Sequence, residues 1–418
     1  MPNPINRQQL LTASCISLVT TSMIFAIRGA ITGPLSSEYF LSNEQIGYIY
    51  GPSFWGFTIA IFACGFLVDI LGMKLMHALS SIGYLVGVVL VLVAPAPMMP
   101  EGVTTVDSIW SHTGTIMLFS GFLLMGLAQG VVEGVINPLI ATIYSDQKGK
   151  MLNILHAWWP AGMVIGGLVA VALGKTDASW QVILGTLIVP ATLALYFILK
   201  NNYPETERVA SNVSFGEMAK EALNPFFLLL FGIMWVTAAS ELGPDQWFGK
   251  IMGDITGWQA DGILFLVYTA GLMFVLRFFF GGVVHRFSPF LVLTVCSVLA
   301  AVGLYWLSTM DSGTPVAMAF VAATLFGIGK TFYWPTMLGI TSERFPRGGA
   351  LLLNMMGGAG MLSIAVALPI IGKMMDEQDA GAALRSVSAL PGVLIIVFAV
   401  IGLVFKSKGG YKPKSIEE

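Results

Sequence analysis

Apolar runs long enough to cross a bilayer recur about twelve times along this chain, at residues 9–33, 44–68, 74–95, 114–143, 151–173, 180–199, 224–247, 259–283, 289–309, 315–340, 349–373 and 386–405. A helix of about twenty apolar residues matches a hydrocarbon core roughly 30 Å thick. Inside that core every backbone N–H and C=O must be satisfied within its own segment, which confines such runs to α-helix. The expected fold class is therefore an all-α membrane protein with twelve transmembrane helices. Composition agrees, because only 11% of residues are charged and 56% are hydrophobic, whereas soluble chains are roughly a quarter charged. A formal net charge of −2 offers nothing to a nucleic acid. Cys15, Cys64 and Cys296 all sit in apolar runs, so neither a disulfide framework nor a metal cage is expected. No small-residue cleavage site follows Leu10–Ile27, which reads as a spanning helix and not as a removable leader.

Lys and Arg set the orientation. With twelve spans both termini share a side, where fourteen basic residues fall, against Lys175, Lys250, Lys373 and Arg385 opposite. That excess predicts a multi-pass protein of the cell (inner) membrane with both termini in the cytoplasm. Arg28, Arg277 and Lys330 are left inside the spans. The polar stretch Lys200–Glu221 divides the chain, predicting a six-helix bundle over 1–200, a cytoplasmic linker over 201–222, a second bundle over 223–406 and a tail over 407–418. A weak internal repeat supports two halves. Asn137-Pro138 aligns with Trp334-Pro335 at an offset of 197, which puts Glu133 on Lys330 and Asp146 on Glu343. Gly65 to Asp69 aligns with Gly281 to His285 at an offset of 216. Two parallel six-helix halves with a site between them is a transporter design.

Gly65-x-x-x-Asp69-x-x-Gly72-x-Lys74 lies between the second and third runs. By itself it is a tight, charged, capped turn. In that place it resembles the signature of the major facilitator superfamily, G-x-x-x-D-x-x-G-x-K/R. The resemblance implies a pseudo-symmetric two-bundle fold and a gating latch at Gly65, Asp69, Gly72 and Lys74. The second copy departs from it, with His285 in the place of Asp69. Glu133-x-x-x-Asn137-Pro138, Leu152-Asn153-x-Leu155-His156 and Arg277-Phe278-x-x-Gly281 resemble elements of the fucose permease and glucose/galactose permease branch, which are sugar–proton symporters. Arg28 departs from that branch, whose first span can carry an acid.

Buried charges organise the functional reading. Arg28, Glu133, Glu241 and Lys330 fall in the first, fourth, seventh and tenth runs, which in the superfamily line the central cavity. Arg28 corresponds to Glu241 at an offset of 213, so each half is expected to hold one acid and one base with signs exchanged. Left unpaired, each charge costs roughly 2.5–3.5 kcal/mol at mid-bilayer, so pairing or a wet cavity is required. Structural ion pairs are the plain alternative. Glu133 beside Arg28 is the first candidate for proton coupling, and Glu241 the second. Arg277 reads as structural.

Gln129, Glu133 and Asn137 share one helix face at i, i+4 and i+8. Together with Asn153, His156, Trp159, Gln246, Trp247, Lys330, Tyr333 and Trp334 they make the expected substrate site, polar groups for hydroxyls and rings for the C–H faces of a sugar. The plain alternatives are helix–helix hydrogen bonds for Gln129 and Asn137, an ordinary structural histidine for His156, and an interfacial belt for Trp247. The functional expectation is a secondary transporter, not an enzyme. It would move a small polar solute, first a monosaccharide, with H+ as coupling ion and no cofactor, as a monomer in the bilayer. An organic-anion or drug exchanger and a non-transporting receptor or scaffold stand as alternatives.

Overall fold

The structure is a computed structural model and describes residues 5–99, 102, 104–144, 148–205, 215–257, 262–284, 287–412 and 414. The chain divides into two compact units, Met1–Ser214 and Phe215–Glu418. The first holds α1 (Arg7–Tyr39), α2 (Asn43–Tyr50), α3 (Pro52–Leu71), α4 (Met73–Leu92), α5 (Thr113–Ile143), α6 (Lys148–Gly174), α7 (Trp180–Gly185) and α8 (Ile188–Lys200). The second holds α9 (Phe215–Glu221), α10 (Pro225–Thr256), α11 (Ile263–Val284), α12 (Pro289–Leu307), α13 (Val316–Lys330), α14 (Tyr333–Arg344), α15 (Gly349–Glu377) and α16 (Ala380–Ser407). Among the described residues there is no strand. Eleven segments are long and apolar enough to cross a membrane, and Ile263–Arg277 is a shorter apolar helix, in line with twelve spans.

Local chemistry starts and stops these helices. The Asn6 side chain accepts the Gln9 N–H at 3.0 Å and opens α1. Ser42 and Gln45 form a reciprocal capping box for α2, and Asp379 accepts the Ala382 N–H at 2.6 Å to open α16. Gly72 alone separates α3 from α4, at φ 82° and ψ 148°, a conformation nearly closed to residues with a Cβ.

Both units pack their spans in the same order. In the first, α1 lies on α6 and α8, while α5 lies on α3 and α4. In the second, α10 lies on α15 and α16, while α13 lies on α11 and α12. Small residues permit the closest of these contacts. Gly126, Gly130 and Gly134 form one row on α5, and a Cβ on any of them would strike α3, at Ser53, Phe57 and Cys64 in turn. Between two spans of the first unit, His77 of α4 bonds Ser17 of α1 at 2.9 Å, and its other ring nitrogen bonds Tyr203, beyond α8, at 3.0 Å. Burial pushes the Tyr203 hydroxyl above its ordinary range, so it remains protonated. The three cysteines are buried thiols, none of them in a disulfide.

Candidate functional site

In the first unit the charged residues are held by α1, α5 and α6. Arg28, on α1, is wholly buried. Its guanidinium lies 4.7 Å from the ring centroid of Phe25, 4.8 Å from Phe54 and 5.8 Å from Tyr50, and none of its three nitrogens has a hydrogen-bond partner. The Tyr50 hydroxyl meets the Thr32 hydroxyl at 3.3 Å and donates to the backbone carbonyl of Arg28 at 3.4 Å, not to a group on the guanidinium. The expected Arg28–Glu133 pair therefore does not form. Helical spacing gives depth and face, but rings from α1, α2 and α3 occupy the space around the guanidinium. Trp159 joins this cage edge-on to Phe25, at 5.0 Å between centroids.

Glu133 belongs to a second group. Asn137 Nδ2 donates to Glu133 Oε2 at 3.0 Å and to its backbone oxygen at 3.1 Å, and His156 Nε2 donates to Asn137 Oδ1 at 2.9 Å. A continuous polar chain thus links α5 to α6, and its acid is nearly buried at 9% exposure. Gln129 is spent on a helix–helix bond, its amide donating to the Thr21 carbonyl at 3.2 Å. Asn153 lies on α6 and Asp69 on α3, but their side chains lie outside the described residues, as do Asp146, His285 and Arg286. Gly65 is within α3, Gly72 forms the turn, and Lys74 is half-buried on the first turn of α4.

In the second unit the buried charges form two ion pairs. Glu241 and Asp245 stand one turn apart on α10, hence on one face. Lys330, the last residue of α13, donates to both oxygens of Asp245 at 2.6 Å, and both side chains are completely buried. Arg277 of α11 donates through Nη2 to Glu241 at 3.3 Å and through Nε to the Thr331 carbonyl at 2.9 Å. That carbonyl is free because the tenth span breaks at Thr331-Phe332. Discontinuous helices with unwound backbone are where transporters build binding sites. Arg277, expected to be structural, is thus the partner of Glu241, and the second unit holds two acids and two bases instead of one of each. Asp245 escaped the sequence reading, although an acid four residues after Glu241 in an apolar run was its signal.

Around these pairs several polar atoms are buried without partners: Glu241 Oε2, both ends of the Gln246 amide and Trp247 Nε1. Trp247 is 1% exposed, so it belongs to no interfacial belt. The reason is that α10 runs to Thr256, nine residues past the end of its apolar run. Tyr333 is fully buried at the start of α14. Trp334 is half-buried over Gly360, where a Cβ would come within 2.6 Å of its ring. Among the described residues no group of three or more His, Cys, Asp or Glu side chains could hold a metal ion.

Such an arrangement, acids and bases sunk in apolar bundles beside unmet hydrogen-bonding groups, is costly to keep for stability alone. Replacing buried ion pairs by apolar residues is often neutral or stabilising. The surface pairs Lys250–Asp254 and Lys373–Glu377, both at 3.7 Å, are of the kind that contributes roughly 0–1 kcal/mol.

The sequence profile of the Major Facilitator Superfamily matches residues 10–365. The chain is similar to the Protein TsgA homolog of Buchnera aphidicola subsp. Acyrthosiphon pisum, 23% identical over 309 residues, which cover 71% of this chain and 72% of that one. Among solved structures it resembles a D-xylose-proton symporter with a TM-score of 0.75, 13% identity and coverage of 94% of this chain and 97% of that chain. It also resembles the nucleoside transporter NupG with a TM-score of 0.72, 12% identity and coverage of 94% and 98%. At such identities the two structures share its fold.

Proposed function

Given that the chain belongs to the major facilitator superfamily, we propose that it is a secondary transporter of a small polar solute, a monosaccharide first, coupled to protons by alternating access. Its relatives are transporters and not enzymes, and the substrate and the coupling ion are this proposal's own content. The observation that carries it is the set of unpartnered groups in the second unit, the Gln246 amide and the Trp247 indole N–H, buried directly after Asp245. Each unmet buried group costs roughly 1–3 kcal/mol. A hydroxylated solute supplies donors and acceptors together, which a simple anion does not, and a flat indole suits its C–H faces. That a D-xylose-proton symporter has this fold supports the reading.

In this reading two acids carry the proton. Glu241 holds one oxygen on Arg277 and keeps the other free. Glu133 heads the chain through Asn137 to His156. In this reading the protein needs no cofactor beyond H+, works as a monomer in the inner membrane, and keeps both termini in the cytoplasm. Gly65, Asp69, Gly72 and Lys74 act as the gating turn.

One observation favours a second reading, an organic-anion exchanger: the Arg28 guanidinium has a full charge and no hydrogen-bond partner. Proteoliposome uptake separates the two. With an inward proton gradient, labelled monosaccharide should accumulate, and Gln246→Ala should weaken that uptake. Glu241→Gln or Glu133→Gln should end accumulation while leaving exchange intact. Accumulation of an organic acid but not of any neutral sugar, lost in Arg28→Met, would replace the first reading with the second.

A further inference from the structure

At the end of the second unit where α10 begins and α14 and α16 end, a groove of about 430 Å³ opens between those three helices. Its walls are apolar, chiefly Phe226, Leu229, Val400, Val404 and Phe405. Leu229, Val400 and Val404 are about half exposed, at 48%, 53% and 45%, so the groove faces outward from the bundle, toward lipid acyl chains in a membrane. Its rim is basic, made of Arg344, Lys408 and Lys414. Glu343, the neighbour of Arg344 in the chain, is already engaged, since it accepts the Tyr411 hydroxyl at 2.7 Å. Arg344 is fixed in place, with Nη1 on the Lys412 carbonyl at 2.9 Å and the guanidinium 5.4 Å from the Phe405 centroid, while its Nε is buried without a partner.

Basic residues at helix C-termini ordinarily answer the helix dipole. That explains the charges but not their gathering from two helices and a tail around one oily slot. Basic pockets between spans at a membrane surface suit acidic lipid headgroups. We propose that this groove seats one anionic phospholipid, its acyl chain along Leu229, Val400 and Val404 and its phosphate against Arg344, Lys408 and Lys414. The chemistry needs both halves of such a molecule, a single negative headgroup and a tail, and it is independent of the transported solute.

The test uses the full chain in nanodiscs of phosphatidylcholine doped with phosphatidylglycerol, released into detergent and weighed by native mass spectrometry. Wild type should retain one phosphatidylglycerol in preference to phosphatidylcholine. The joint change Arg344→Gln, Lys408→Gln and Lys414→Gln should weaken that retention on the order of a hundredfold. Val404→Trp, which fills the groove from an exposed position and keeps every charge, should weaken it too, and Lys373→Gln, at the other end of the unit, should not. Equal retention of the two lipids would overturn the proposal. So would retention unchanged in both groove variants, or displacement of phosphatidylglycerol by equimolar inorganic phosphate, which would make this a soluble-anion site.

Discussion

Asp245 and Lys330 pose the residue-scale question most sharply, because each is fully buried and each is the other's ion-pair partner. Asp245→Asn leaves an ammonium with no counter-charge and should cost about 3–5 kcal/mol. Adding Lys330→Met removes that charge and should recover most of the loss, read as the unfolding midpoint in detergent. A double variant no better than the single would show that the pair contributes by packing instead. Arg28 should behave oppositely. Its cage offers three cation–π contacts worth roughly 0.5–2 kcal/mol each, set against a guanidinium whose nitrogens are all unmet. Arg28→Met should therefore unfold at the wild-type temperature or above, and only the organic-anion reading requires that uptake be lost with it. A midpoint several degrees lower would mean that the cage is structural. The apolar context of Arg28, Glu133, Glu241 and Lys330 was enough to single them out from sequence. Which neighbour each one meets was not readable, because a partner depends on how helices rotate against one another.

At the scale of elements, breaks in the helices matter more than their lengths. Gly72 joins α3 to α4 by one residue at φ 82°. Gly72→Ala should cost about 1–3 kcal/mol from backbone strain alone, since nothing lies within 4 Å of the Cβ it would add. Circular dichroism melts would check this, and an unchanged midpoint would mean that the turn relaxes to negative φ. This turn was legible, because glycines and charges between two apolar runs read as a tight reversal. The break at Thr331-Phe332 was not. Its sequence continues an apolar run, and only Arg277, arriving from α11 to take the Thr331 carbonyl, shows that the helix opens there. The extension of α10 to Thr256 was missed for a related reason: polar residues such as Lys250 and Asp254 end a hydropathy run without ending a helix.

For the whole molecule, the order of packing is the same in both units, which gives the weak repeat of offsets 197 and 216 a physical counterpart. The orientation inferred from basic residues is testable directly. A fluorescent protein fused after Glu418 should fold and fluoresce in the cytoplasm, and alkaline phosphatase inserted after Lys175 should be active. The reverse pattern would invert the proposed topology. Twelve spans, two halves and the family resemblance follow from the sequence by itself, because burying backbone in lipid imposes length and apolarity on every segment independently. Only the tertiary structure paired Arg277 with Glu241 and Asp245 with Lys330, and left Arg28 among rings. Those outcomes depend on close approach between helices far apart in the chain, where a turn of one helix by a few tens of degrees exchanges one partner for another.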